Sequence, residues 1–235
     1  MVNEITLFVQ PAYNYSTSKV EYAEVLIRNY RGLTKVPDIL NFVKDNHIEE
    51  EFDMDVLRET LRVVSETPEL DYPIGVNLCS ETIKKEGIAS KVIGEINKFN
   101  VNHRQIVIEV NEETNFCDKV VINNIEELRK NNIKIALDDF GVKNSNLLSL
   151  MNAKIDILKV DRAFIDTTTK EKEESQHEIL KLLIQLCNNL NLKHIVEGVE
   201  TNRQLNHIQN LGYSVVQGYL YERPVPFVSY MKSAS

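Results

Sequence analysis

Short apolar runs recur along the chain, separated by longer segments in which hydrophobic positions return every three to four residues. The runs have the pattern of strands buried on both faces of a parallel sheet, and the spaced segments that of helices covering it. Residues 5–9 form a first strand that Gln10-Pro11 should end, since proline cannot donate to a ladder. A polar turn over 14–18 leads into VEYAEVLIR (20–28), an alternating strand with Glu24 among apolar neighbours. Helices are predicted over 37–46 and 49–65, the second through Phe52, Val56, Leu57, Leu61 and Val64. IGVNL then places Asn77 inside a short strand, and Ser80 is suited to cap the helical segment that follows.

From there the alternation is regular. QIVIEV delivers Glu109 before a helix through Val120, Val121, Ile125 and Leu128. IKIALDDFG delivers Asp138 and Asp139 before a short helix through Leu147, Leu148, Leu150 and Met151. DILKVD carries Lys159 ahead of a long helix over 171–189, and KHIVEGVE carries Glu197 and Glu200. A helix over 201–211 is stopped by Gly212. YSVVQGYLY (213–221) is read as a strand with Gln217, and Pro224 and Pro226 precede a short terminal helix.

Strands alternating with helices predict an α/β fold, and closure into a barrel explains why so many polar strand ends converge. A doubly wound open sheet would normally carry a glycine-rich phosphate loop, and neither GxGxxG nor GxxxxGK[ST] is present. Two adjacent acids at the end of an apolar strand need a positive partner. A metal ion is the simplest, and an oxygen-rich set of Glu, Asp and Asn suits Mg²⁺ or Mn²⁺.

The 235 residues fit one barrel-sized domain with no Pro/Gly/Ser-rich linker to divide it. A net charge of −8 argues against nucleic-acid polymers and anionic membranes as partners. No basic leader and no run of the ~20 apolar residues of a membrane span is visible, which predicts a cytoplasmic protein without a membrane segment. Cys79, Cys117 and Cys187 lack zinc spacing and read as reduced packing residues.

Eight motifs in order resemble one known family, the EAL-domain phosphodiesterases that open cyclic di-GMP to linear pGpG. They are Gln10-Pro11; Glu24-Val25-Leu26 with Arg28, with valine where the EALxR signature has alanine; Val76-Asn77-Leu78; Glu109 to Glu112 as ExxE; LDDFG; Leu158-Lys159-Val160-Asp161; EGVET from Glu197; and Gln217-Gly218-Tyr219. The resemblance implies a TIM-like (β/α)8 barrel with an antiparallel first strand pair. It implies that Glu24, Asn77, Glu109 and Asp138 hold a first Mg²⁺ or Mn²⁺, and that Asp138 and Asp139 help to hold a second. It further implies that Lys159 holds water or developing charge, that Glu197 is the general base with Glu200 supporting it, and that Gln10, Arg28 and Gln217 contact cyclic di-GMP.

Glu112 matches the residue that braces the loop after DDFG in that family, and a homodimer is among the assemblies the resemblance allows. The loop itself departs from the family pattern TGYSS, reading Val142, Lys143, Asn144, Ser145 and Asn146. Two functions therefore compete on the sequence: an active metal-dependent phosphodiesterase, and a degenerate domain that binds the nucleotide or a protein partner without turnover. An enolase-like barrel is a third class, but no KxK strand end supports it.

Overall fold

The computed structural model describes residues 5–141, 154–166 and 170–233. Two long strands open the chain, β1 (Ile5–Asn14) and β2 (Lys19–Tyr30), paired antiparallel. They are followed by α1 (Val36–Asp45), α2 (Glu49–Ser65), β3 (Ile74–Asn77), α3 (Ser80–Ile83), α4 (Ile88–Lys98), β4 (Ile106–Asn111), α5 (Lys119–Lys130) and β5 (Lys134–Phe140). The remaining elements are β6 (Ile157–Val160), α6 (Lys170–Leu190), β7 (Lys193–Val196), α7 (Asn202–Asn210), β8 (Val215–Gln217), β9 (Val225–Pro226) and α8 (Phe227–Ser233). Strands β2 to β8 run in sequence order and in parallel, and β1 closes the ring by pairing antiparallel with both β8 and β2. The result is a closed barrel of eight strands with helices around it, as expected.

Alternation along the strands divides the interior into two layers. On β4, Ile106, Ile108 and Val110 face outward into the large core shared with the helices, while Val107 and Glu109 face the barrel axis. A separate apolar cluster fills the barrel itself: Ala12, Tyr22, Val107, Ala136, Ile157, Ile195 and Val215. Strands buried on both sides therefore read as continuous apolar runs, which is why they stand out in the sequence.

Local chemistry sets the helix starts. Pro37 occupies the first turn of α1, Asp118 caps α5 by accepting from Val120 N–H at 2.7 Å, and Thr201 with Gln204 forms a reciprocal capping box on α7.

Four expectations are corrected. β1 does not stop at Pro11 but runs to Asn14. Ala23, opposite Pro11, donates its N–H to the Pro73 carbonyl, away from β1. On its other edge β1 meets β9 at Phe8–Val9 and β8 only from Ala12, so the missing proline N–H interrupts no ladder bond. Ser80 is not the cap of α3: Cys79 holds that position, and Asp53 Oδ2 from α2 accepts the Cys79 N–H at 2.8 Å. The strand read over 213–221 is confined to Val215–Gln217, because the chain turns at Gly218. Cys117 is exposed rather than packed. The helix expected through Leu147 to Met151 and the loop 142–146 lie outside the described residues.

Candidate active site

On seven strands the apolar residue of the barrel plug is followed, two positions nearer the mouth, by a polar one. The pairs are Tyr22 and Glu24, Val107 and Glu109, Ala136 and Asp138, Ile157 and Lys159, Ile195 and Glu197, Val215 and Gln217 and, in reverse on antiparallel β1, Ala12 and Gln10. Side chains two apart on a strand share a face, so the barrel carries a polar layer directly above its apolar one.

Lys159 is the hub of that layer. Its ammonium, fully buried, lies 2.5 Å from Glu109 Oε2, 2.8 Å from Glu197 Oε1, 2.9 Å from Asp138 Oδ1 and 3.2 Å from Glu24 Oε2. Burial opposes its charge, but the surrounding carboxylates outweigh burial and hold the ammonium well above the ordinary lysine range. Burial acts on the acids in the other sense, pushing Glu109 up to about 8 and Glu197 well above the usual carboxylate range despite the attraction of Lys159.

The adjacent acids on β5 reach one site through a local irregularity. Successive side chains of a regular strand point to opposite faces. Between Leu137 and Phe140 the register against β6 slips, Leu137 facing Leu158 and Phe140 facing Val160, and Asp139 adopts φ 52°. The extra residue turns Asp139 toward the mouth, where an oxygen from each of Asp138, Asp139 and Glu197 lies within 4.8 Å of the others. Partial desolvation, then the charge of Asp138, pushes Asp139 up to about 6. Gly141 ends this bulged segment at φ 98°, and its N–H donates to Glu112 Oε2 at 3.0 Å.

Sequence reasoning missed the support beneath Glu109. Tyr22, fully buried, donates its phenol hydroxyl to Glu109 Oε1, and burial followed by the neighbouring carboxylate keeps that phenol protonated. Gly75 makes the space: a Cβ there would overlap both the Tyr22 oxygen and Glu109 Oε1. The aromatic residue in VEYAEV had read as one more apolar strand position. Its register two residues before Glu24 was the available signal.

The other predicted residues take distinct places. Asn77 sits at the end of β3 and donates to Glu24 Oε1 at 3.3 Å. Gln217 donates to Glu24 Oε2 at 3.1 Å, while its own carbonyl oxygen is buried without a partner. Gln10 donates to the Glu222 carbonyl at 3.0 Å and faces Glu24 across the β1–β2 pair. Gln10, Glu24 and Gln217, with Glu197, Glu200 and Arg162, border a cavity of about 210 Å³ at the mouth. Glu200 is paired with Arg162 at 3.3 Å rather than with Lys159. Arg28 is turned away from the carboxylates, donating to the Ile27 carbonyl at 2.8 Å with its guanidinium over the Phe8 ring. A larger hollow of about 680 Å³, lined by Arg104, Arg129, Lys130, Lys134 and Lys154 among others, contains none of the predicted site residues.

The donor set fits divalent metal ions. Glu24, Glu109 and Asp138 bring three carboxylate oxygens within 4.8 Å of one another, and Asp138 is shared with the second acidic group. Four carboxylates surround one ammonium, so negative charge is in excess. Asp138 Oδ1, though 2.9 Å from Lys159, is buried without a hydrogen bond. An all-oxygen, charge-rich set of this kind matches hard cations and offers no thiolate or imidazole for zinc.

Residues 2–224 match the EAL domain. PdeD of Escherichia coli (strain K12), a probable cyclic di-GMP phosphodiesterase, is 28% identical over 237 residues, which cover 98% of this chain and 43% of PdeD. NbdA of Pseudomonas aeruginosa, a cyclic di-GMP phosphodiesterase, is 26% identical over 236 residues, covering 97% of this chain and 30% of NbdA. The chain thus spans less than half the length of these relatives. Among solved structures, the PaMucR phosphodiesterase in complex with c-di-GMP has a TM-score of 0.85 and 28% identity, with 94% of this chain and 97% of that one covered. The manganese and cyclic di-GMP complex of Klebsiella pneumoniae BlrP1 shares the fold, with a TM-score of 0.83, 22% identity, and 95% of this chain and 56% of that one covered. A match over nearly the whole sequence, on a barrel of the same build, means that the chain belongs to the EAL domain family.

Proposed function

We propose that the chain hydrolyses cyclic di-GMP to linear pGpG with two divalent ions, Mg²⁺ or Mn²⁺, bound at the mouth of the barrel. The observation that carries this reading is the convergence of Glu24, Glu109, Asp138 and Glu197 on Lys159, joined by Asp139 through the bulge in β5. Family membership and relatives named as cyclic di-GMP phosphodiesterases support the substrate.

Glu24, Glu109 and Asp138, with Asn77 beside Glu24, would hold the first ion, and Asp138 and Asp139 would help to hold the second, within reach of Glu197. Bound there, two divalent ions polarise a phosphodiester and acidify the attacking water. The chain's own groups do the rest. Lys159 is a fixed cation that needs no reorganisation as negative charge develops on the phosphate oxygens. Glu197, held by Lys159 through Oε1 at 2.8 Å, is the group placed to take a proton from the attacking water. Gln10 and Gln217 offer amide groups at the rim for the nucleotide, and Glu200 is kept in place by Arg162. Arg28 would have to leave the Ile27 carbonyl to reach a phosphate, which it would bind by a charge-assisted contact. Glu112 ties the end of the bulged segment to β4.

The test is incubation of the metal-stripped protein with cyclic di-GMP, with and without added Mn²⁺, followed by chromatography of the nucleotides. Ion-dependent appearance of linear pGpG supports the reading. Binding of the intact cyclic dinucleotide without turnover would replace it with the binding-module reading.

A further inference from the structure

We infer that Tyr22 is a positioning residue for metal binding: its phenol fixes the plane of the Glu109 carboxylate so that Oε2, and not Oε1, is presented to Lys159 and the ion cluster. The inference rests on the metal-dependent reading of the site.

Glu109 is fully buried and each of its oxygens has its own donor, Tyr22 on Oε1 and Lys159 at 2.5 Å on Oε2. A carboxylate with one donor can rotate about its last bond and exchange oxygens. With two donors on opposite sides it cannot, and only one oxygen is left facing Glu24 and Asp138. Hydrogen-bond partners behind a metal ligand set its orientation and affinity, and their loss typically costs about 10- to 100-fold in metal affinity or activity.

Tyr22 is also placed as only this sequence allows. It belongs to the barrel plug, so its ring is gripped by apolar neighbours while its hydroxyl rises into the polar layer. The opening for that hydroxyl is Gly75 on the adjacent strand, where any side chain would collide with both the phenol oxygen and Glu109 Oε1. Three positions on three strands therefore act together: Gly75 gives room, Tyr22 fills it, and Glu109 is oriented. A tyrosine that merely filled volume would need neither the glycine nor a carboxylate at its tip.

The experiment compares the parent with Tyr22→Phe, which keeps the ring and the packing, by titration calorimetry with Mn²⁺ alone and by cyclic di-GMP turnover as a function of Mn²⁺. The inference predicts melting within a few degrees of the parent and Mn²⁺ affinity lower by about 10- to 100-fold. It also predicts that most of the kcat returns at saturating Mn²⁺, a division that a loss of packing alone would not produce. Unchanged Mn²⁺ affinity in a folded Tyr22→Phe protein overturns the inference. A parent that binds Mn²⁺ but does not open cyclic di-GMP overturns the proposed activity instead, and leaves the calorimetric comparison able to decide on Tyr22.

Discussion

Lys159 Nζ and Glu109 Oε2 meet at 2.5 Å with both side chains fully withdrawn from water. Removing one member of a buried pair leaves the other charged and uncompensated, which costs about 3–5 kcal/mol. Here the loss is compounded, because Glu24, Asp138 and Glu197 share the same ammonium. Lys159→Met should therefore lower stability toward urea by at least that amount in the presence of a chelator, and added Mn²⁺ should recover more of the loss than it adds to the parent. A variant as stable as the parent in chelator would show that Lys159 is not the counter-charge of the cluster.

Glu24→Ala and Asp138→Ala each remove an anionic oxygen from the group that would hold the first ion. Both proteins should fold, bind Mn²⁺ more weakly and turn over cyclic di-GMP at least about 100-fold more slowly, the scale of loss when stabilisation of transition-state charge is removed. If either kept more than about a tenth of the parent rate, the assignment of these ligands would be wrong.

Glu197→Gln separates proton transfer from binding. The amide keeps the shape and one oxygen for Lys159 but cannot take a proton, so affinity for cyclic di-GMP measured with Mn²⁺ should stay within a few-fold of the parent while turnover falls by the ~10²–10⁴ of general base catalysis. Weakened nucleotide binding with the rate of the bound fraction unchanged would assign Glu197 to substrate contact.

Asp53 supplies a pH-dependent test of the scaffold. Burial pushes its carboxyl up to about 6 against the lowering effect of the hydrogen bond from the Cys79 N–H. An acid raised in the fold favours the folded state below its unfolded pKa near 4, and that contribution is lost as pH rises through about 6. The burden on the parent above pH 6 is on the order of 3 kcal/mol. Asp53→Asn keeps an oxygen for the Cys79 N–H and carries no charge, so its melting temperature relative to the parent should rise between about pH 4 and pH 7. Parallel melting curves across that range would show that Asp53 does not carry a raised pKa.

Most of the polar layer was legible because each strand is an apolar run interrupted by one polar residue, as in IVIEV or ILKV, and such an interruption has few bland explanations inside a buried strand. Glu24, Glu109, Asp138, Lys159, Glu197 and Gln217 all came from that contrast, and the structure brings them together. What depended on neighbouring strands was not legible. Pro11 looked like a strand end because the gap beside β1, which makes its missing N–H harmless, is a property of β8 and β9. Ser80 looked like a cap because the carboxylate that fixes the Cys79 N–H at the start of α3, that of Asp53, comes from a helix far back in the chain. The bulge at Asp139 was hidden for the same reason, since a register slip leaves no mark on the local alternation, and the register of Tyr22 did not name its partner, which lies on another strand.

The space above Gly75 also has a historical consequence. A side chain at position 75 would claim the volume that the Tyr22 hydroxyl and Glu109 Oε1 now share, so bulk at 75 and a tyrosine at 22 exclude each other. A lineage could acquire the tyrosine only after position 75 had shrunk to glycine, and once the phenol was seated, the reverse change at 75 was closed to it. The two residues are thus mutually entrenched. A screen of paired substitutions in this barrel should find a side chain larger than glycine at 75 tolerated only together with a smaller residue at 22.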